Sequence, residues 1–351
     1  MPDTAPATDP VPASARAPTP ARGRATTLVD WVRRRARSLA PFLTLTAMLV
    51  FFTATTDSFL NLVNLRNILA QVATLAVVST GVTFVLLCGE IDLSIAAVAM
   101  MTGVISSVLF GVAGLPQVVA LLGGLAAAIV LGLVNAFTTT RVGLPSFVAT
   151  LASMQIASGL AQYITRGNIL YGIPPALKFA GGAYLGKRDP WRLPVVVLAG
   201  AAVLGLGHVV LRYTRFGRLV YMTGSNREAA RLSGINTRRI VGACLAICAA
   251  AAGLAGMLNT GRLGSAQSYG LDDMLLDGVA AVVLGGTSLF GGEGGIKNTV
   301  MGLLIFGVLN NGLNQLQLDI FLRLWLRGVI LLVALVVNVY AQGLRKAPSR
   351  R

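Results

Sequence analysis

Apolar residues run through this chain in long blocks with few breaks. Stretches free of Asp, Glu, Lys and Arg cover 38–56, 67–89, 93–140, 142–165, 193–211, 240–261, 278–292, 298–318 and 328–344. A bilayer core of about 30 Å takes about 20 helical residues at about 1.5 Å each, so most of these blocks are one crossing long. The third has 48 residues, room for two helices, and its GVAGLP segment at 111–116 supplies the turn that divides it. The block 278–292 (GVAAVVLGGTSLFGG) has only 15 residues and reaches about 22 Å. It is therefore broken, re-entrant or extended by its flanks. The pattern predicts an all-α polytopic membrane protein with about ten transmembrane helices, some of them broken or re-entrant.

Composition agrees. The 351 residues are 55% apolar and 12% charged, against about 25% charged in a soluble domain, which excludes an ordinary globular enzyme. The formal net charge of +16 would suggest nucleic acid on a soluble protein. Here the charges fall outside the apolar blocks, so they read as membrane topology and no nucleic-acid partner is expected. With the N-terminus inside and ten helices following, twenty of the 29 Lys and Arg residues lie on the inner side and nine on the outer, five of those nine in the 166–192 connection. That split predicts both termini in the cytoplasm.

Residues 1–37 read as a disordered, basic cytoplasmic tail. Six of the fourteen prolines fall in 1–27, large apolar residues are scarce there, and Arg33, Arg34, Arg35 and Arg37 form a topology-setting collar. The first apolar block begins near Leu39 and is of membrane length, unlike a secretory signal. Forty glycines with many Ala, Ser and Thr suit close helix packing and local unwinding. Cys88, Cys244 and Cys248 sit in apolar stretches, an odd number that argues against a disulfide framework, and no ligand spacing indicates a metal.

Ionisable groups at membrane depth default to functional candidates. Glu90 and Asp92 lie in CGEIDLS, with Asp92 and Ser94 placed to cap the next helix. Asp277 opens the short Gly-rich block, where it too reads as an N-cap, and Gly285 and Gly286 within that block suggest close packing or unwinding. His208 is the lone histidine and reads as a packed polar residue. In the loop 212–240, Ser225 and Glu228 have capping-box spacing; Ala229, Ala230, Arg231 and Leu232 favour helix; and Gly234 fits a left-handed stop. This predicts a cytoplasmic helix of about two turns, too short to stand without a docking surface. Arg227 and Arg231, four apart, would face acidic groups of a partner. GGTSLFGGEGG lacks the G-x-x-x-x-G-K-[ST] pattern, so the chain has no phosphate loop, and energy for pumping must come from a partner or a gradient.

Several segments in order resemble one family, the permease subunits of bacterial ABC importers for ribose, xylose, galactose and related monosaccharides. They are FLNLVNLRNIL at 59–69, GEIDLS at 89–94, LPSFVATLASM at 144–154 and TRFGRLVYMTGSNREAARLSGINTRRI at 214–240. DGVAAVVLGGTSLFGGEGGI from Asp277 and VLNNGLN at 308–314 complete the set. The resemblance covers about Phe59 to Val339. It implies a transmembrane permease domain over 38–344, a cytoplasmic tail over 345–351, and location in the bacterial inner membrane. It also implies a second permease copy, cytoplasmic ATPase subunits that bind the ATP and Mg, an extracytoplasmic sugar-binding protein and surrounding lipid; the chain itself would be no enzyme and hold no cofactor. It makes Gly224, Ser225, Asn226, Arg227, Glu228, Ala229, Ala230, Arg231 and Gly234 the coupling segment. Glu90, Asp92, Ser94, Asp277, Gly285, Gly286, Asn310 and Asn311 become candidates for the pathway or its gate. Glu90 departs from the Gly of many members, Ser158-Gly159 from Arg-Gly, and Met274-Leu275-Leu276-Asp277 from Tyr-Glu-Leu-Asp. A gradient-driven carrier or channel for a small polar solute, and a membrane-embedded enzyme, are the competing readings.

Overall fold

The computed structural model describes residues 28–186 and 192–343. Of the tail expected to be disordered over 1–37, residues 1–27 lie outside the described residues, as does the tail over 345–351. Residues 28–37 are instead helical, the apolar Leu28, Val29, Trp31 and Val32 opening the helix that runs on to Thr55. Contacts divide the chain after Leu39, and the bundle below is that of the residues from Ala40 onward.

In chain order the elements are α1 (Leu28–Thr55), α2 (Leu62–Leu87), α3 (Ile95–Ser107), α4 (Gln117–Phe137) and α5 (Ser146–Thr165). Wider π-type turns prolong α3 over Val108–Val112 and α4 over Thr138–Val142. The connection that follows holds α6 (Pro175–Leu177), a further π-turn and a two-residue antiparallel ladder of β1 (Tyr184–Leu185) with β2 (Leu193–Pro194), Tyr184 opposite Pro194. That ladder is a small departure from an all-α reading. Then come α7 (Val195–Tyr213), α8 (Arg215–Ser225), α9 (Arg227–Leu232), α10 (Thr237–Leu263), α11 (Asp272–Leu284), α12 (Ile296–Gln315) and α13 (Ile320–Gly343).

Six of these helices are long and apolar enough to cross a membrane: α2, α3 and α4 with their π-turns, α5, α7 and α10. The 93–140 block divides at Ala113–Pro116, as GVAGLP requires. Helix starts follow local chemistry. Asn61, Thr214, Asn226 and Asn236 each accept a first-turn backbone N–H through the side chain, whereas α4, α5 and α7 begin directly after Pro116, Pro145 and Pro194.

α10 is the central helix, packed on α2, α3 and α4. Its small residues permit that approach: a Cβ added at Gly256 would lie 1.9 Å from the Ala99 carbonyl oxygen. Peripheral helices instead turn apolar side chains outward, such as Leu122 and Leu133 of α4, Leu206 of α7 and Trp325 of α13. Inside a membrane such faces meet acyl chains or another subunit rather than water.

The 278–292 block proves both extended and broken. α11 begins five residues before Asp277, then unwinds at Gly285 and Gly286, and 287–295 runs as a loop into α12. Asp277 is therefore not an N-cap. Leu271 occupies that position without a side-chain bond, and Asp277 lies inside the helix, where it pairs with Arg327 of α13.

Candidate functional site

At one end of the bundle, here the basic end, three separated motifs meet. The turn between α2 and α3, the α8–α9 corner and the Gly-rich loop touch one another directly. The Gly292 N–H donates to the Leu87 carbonyl at 2.9 Å, and the Tyr221 hydroxyl donates to the Gly294 carbonyl at 2.9 Å. A Cβ at Gly224 would sit 1.8 Å from the Leu87 oxygen, so only glycine lets α8 reach this contact. Arg227 closes the corner. Its Nη2 donates to Glu90 Oε1 at 2.6 Å and to the Cys88 carbonyl at 3.1 Å. Behind it, the Cys88 and Cys244 thiols lie 3.3 Å apart, and all three cysteines are free.

The short helix expected over 225–234 exists as α9, but its cap is different. Ser225 is the last residue of α8, and Asn226, extended at φ −158°, caps α9 by accepting the Ala229 N–H at 3.0 Å. The Ser225–Glu228 box is not formed, because Ser225 is already helical. Glu228 pairs instead with Arg231 at 3.6 Å, both exposed. Gly234 ends the helix at φ +79°, the left-handed position that its lack of Cβ allows. Arg227, half-exposed, bonds Glu90 of its own chain, while Arg231 lies at the surface beside Glu228. Ala230 is buried against its own chain at 3% exposure, so Ala230→Asp would disturb internal packing before it reached any partner. Leu232, by contrast, is 82% exposed, and Phe290 in the Gly-rich loop 89%.

A second network fixes the start of α3. Asp92 Oδ1 accepts from the Ser94 N–H at 2.8 Å and the Ser94 hydroxyl at 2.6 Å; Asn135 donates to Ser94 Oγ, and Ser153 donates to Asn135. Hydroxyls at the start of α5, Ser146 and Thr150, accept the Ile91 and Leu93 N–H groups. Asp92 thus does organise the helix entry, through an N–H one step before the helix. Burial pushes its carboxyl above the ordinary 3.8, while the Ser94 bonds pull it down. A raised acid binds more protons folded than unfolded, so its contribution to stability falls as pH rises from the unfolded value towards the folded one. Asp92→Asn keeps the Oδ1 acceptor and removes this slope. The expected result is a thermal midpoint for the purified variant that declines less than wild type as pH rises above about 4; equal declines would refute the assignment.

At the opposite end a cavity of about 310 Å³ opens between α2, α10, α11 and α12. Gln71, Thr74, Asn259, Arg262, Asp277 and Asn310 are among its lining residues. Thr74 is 3% exposed and its hydroxyl has no partner, and Asn259 accepts from Arg262 at 3.1 Å. Arg327 pairs with both Asp273 and Asp277 across the α11–α13 contact. Beneath the cavity, Ala76, Ala280, Ala281, Leu303 and Phe306 pack into an apolar floor. From Thr74 to Leu87 along α2 the rise is about 20 Å, so the cavity and the basic end are separate places joined by α2, α11 and α12.

The candidate pathway residues therefore divide. Asp277 and Asn310 line the cavity. Asn311 does not: it is buried in a reciprocal amide pair with Asn64, at 2.8 and 2.9 Å. Glu90, Asp92 and Ser94 belong to the basic end. Gly285 lies against Asn298 of α12, and Gly286 takes φ +102° where α11 unwinds. Arg262 and Arg327 were missed because they bound apolar blocks and were counted as flanks; an arginine within one turn of a block's edge was the available signal.

Comparison with known proteins finds relatives over most of the chain. The family model described as branched-chain amino acid transport system / permease component matches residues 64–337. The chain is 36% identical over 305 residues to the ribose import permease protein of Bacillus subtilis (strain 168), covering 86% of this chain and 92% of that one. It is 32% identical over 341 residues to the L-arabinose ABC transporter permease protein of Azospirillum brasilense, covering 97% and 96%. To the D-allose transport system permease protein of Escherichia coli (strain K12) it is 30% identical over 290 residues, covering 82% and 87%. The chain belongs to the permease-component family of these transport systems.

Proposed function

We propose that this chain is the membrane permease of a bacterial ABC importer that moves a monosaccharide inward by alternating access. ATP and Mg are held by partner ATPases, and an extracytoplasmic sugar-binding protein delivers the substrate. The observation that carries this is the continuity of α11. Its first turns bear Asp277 in the cavity, and the loop after Gly286 carries Gly292 and Gly294 to Leu87 and Tyr221 beside α9. A push on α9 thereby reaches the cavity wall through packed backbone.

In this reading α1–α5, α7 and α10–α13 are the ten membrane helices, α11 reaching only part of the way. The basic end and both termini face the cytoplasm, in line with the Lys and Arg distribution. The domain limits 38–344 and 212–240 follow from it. The outward apolar faces leave room for a second copy and for lipid. The ATPase contact is the exposed surface of α9 with Phe290, since large apolar side chains left in water at a polar end mark a partner's footprint.

Ribose, arabinose and allose permeases are among the relatives, and the cavity suits such polyols. It offers side-chain amides that both donate and accept, a hydroxyl awaiting a partner, and acidic groups already matched by Arg327. The family description names branched-chain amino acids instead, which would make an amino acid the second reading. Proteoliposomes holding the permease, its ATPase and its binding protein decide between them. The expected result is ATP-driven accumulation of radiolabelled ribose, arabinose or allose but not of leucine, with no phosphate release by the permease alone. Leu232→Ala with Phe290→Ala should reduce co-purified ATPase by about tenfold. Robust hydrolysis by the isolated permease, or accumulation under an ion gradient without the ATPase, would sink this function.

A further inference from the structure

A second cavity, of about 340 Å³, lies at the basic end, bordered on one side by the Tyr221–Gly294 contact described above. His208 and Arg212 from the end of α7, Arg218 and Tyr221 from α8, and Lys297 and Asn298 from the start of α12 line it. Three guanidinium or ammonium groups thus converge on one concavity from three helices, and no carboxylate is among the lining residues. Among the described residues none of the three is in an ion pair. The first turn of α12 adds to the positive potential. Gly295 caps it without a side chain, and Gly295 through Asn298 all border the cavity, so the positive end of the helix dipole lies at its wall.

The position says which anion. Arg212 lies in the last turn of α7, a helix of membrane length, and on the same helix Leu206 and Val209 are 66% and 49% exposed. Acyl chains running along those residues would bring a headgroup phosphate to the level of Arg212, Arg218 and Lys297. Basic pockets between helix ends at the cytoplasmic surface suit this chemistry, and the volume is that of a small-molecule site.

We propose that this cavity is a binding site for the phosphate headgroup of an anionic phospholipid. The site does not depend on which solute is transported; it depends only on the basic end lying at the membrane surface. Each cation at a membrane surface contributes enough that its loss weakens lipid binding about fivefold, and loss of three does so on the order of a hundredfold.

The test uses the full-length permease. Wild type, Arg218→Gln alone, and Arg212→Gln/Arg218→Gln/Lys297→Gln are exchanged into nanodiscs of phosphatidylcholine containing a minor fraction of phosphatidylglycerol. Lipid retained after delipidation is measured by mass spectrometry, and the single variant guards against misassembly of the triple one. Expected is selective retention of phosphatidylglycerol by wild type, a graded loss in the variants, and no displacement by millimolar inorganic phosphate. Equal retention in all three proteins, or of both lipids, overturns the proposal. So does saturable binding of inorganic phosphate that displaces the lipid, which would make the ligand a soluble phosphate. Unchanged lipid retention with loss of the co-purifying ATPase also overturns it, by assigning the pocket to an acidic protein partner.

Discussion

Arg227→Ala is expected to stop ATP-driven uptake and to lower the thermal midpoint of the purified permease more than Glu90→Gln does. The asymmetry comes from burial. The Glu90 side chain is 10% exposed and that of Arg227 is 47%. Removing the arginine strands a buried carboxylate and frees the Cys88 carbonyl. Breaking a fully buried pair costs about 3–5 kcal/mol, and the half-exposed arginine brings this one nearer about 2–3 kcal/mol. Removing the charge of Glu90 leaves a guanidinium that water reaches, at about 1 kcal/mol. The double variant should recover part of the stability lost in Arg227→Ala, because the unpaired buried charge is then gone. It should not recover uptake, since α9 is no longer tied to the α2–α3 turn. Equal destabilisation by the two single changes would show that the pair is not an internal brace. Uptake at wild-type rate in Arg227→Ala would show that α9 does not transmit through this corner.

Gly302→Val should be still more damaging to the folded protein. A Cβ there would lie 1.7 Å from the Ala281 carbonyl oxygen and 2.8 Å from the Gly285 nitrogen, and one at Gly285 would lie 1.9 Å from the Asn298 oxygen. The obstacle in each case is backbone, which cannot rotate away as a side chain can. α11 and α12 would have to separate, at about 3 kcal/mol or more, and the Asn298 amide would lose its 3.1 Å bond to the Gly285 carbonyl. Gly205 supplies the control: nothing lies within 4 Å of a Cβ added there. The expected result is a sharp fall in monodisperse protein and in uptake for Gly302→Val and Gly285→Leu, with Gly205→Val close to wild type. If Gly302→Val inserts, elutes and transports normally, the α11–α12 crossing is not what holds the cavity wall.

Much of the architecture was legible in the linear pattern because each apolar block answers to a single length, the thickness of a bilayer. The division of 93–140 at GVAGLP and the left-handed stop at Gly234 were legible for the same kind of reason: their causes are local. The caps were less so. Ser225 and Asn226 are neighbours with similar capping chemistry, and which one leaves the helix depends on where α8 ends. That end is set by Gly224 meeting Leu87, a contact across the chain. Asp277 likewise reads as a helix start only while Arg327, fifty residues further on, is out of view.

Composition, charge distribution and local turn chemistry determined by themselves that this is a multi-helix membrane protein with a basic loop carrying a short, Gly-stopped helix. These follow from transfer free energies and backbone preferences, which act on a segment wherever it lies. Only the tertiary structure decided that Arg227 braces Glu90, that Ala230 faces inward, and that Asn311 is locked to Asn64 while Asn310 lines a cavity. On a helix a one-residue step turns a side chain through about 100°. Which of two adjacent asparagines meets the cavity is therefore settled by the helices packed around them.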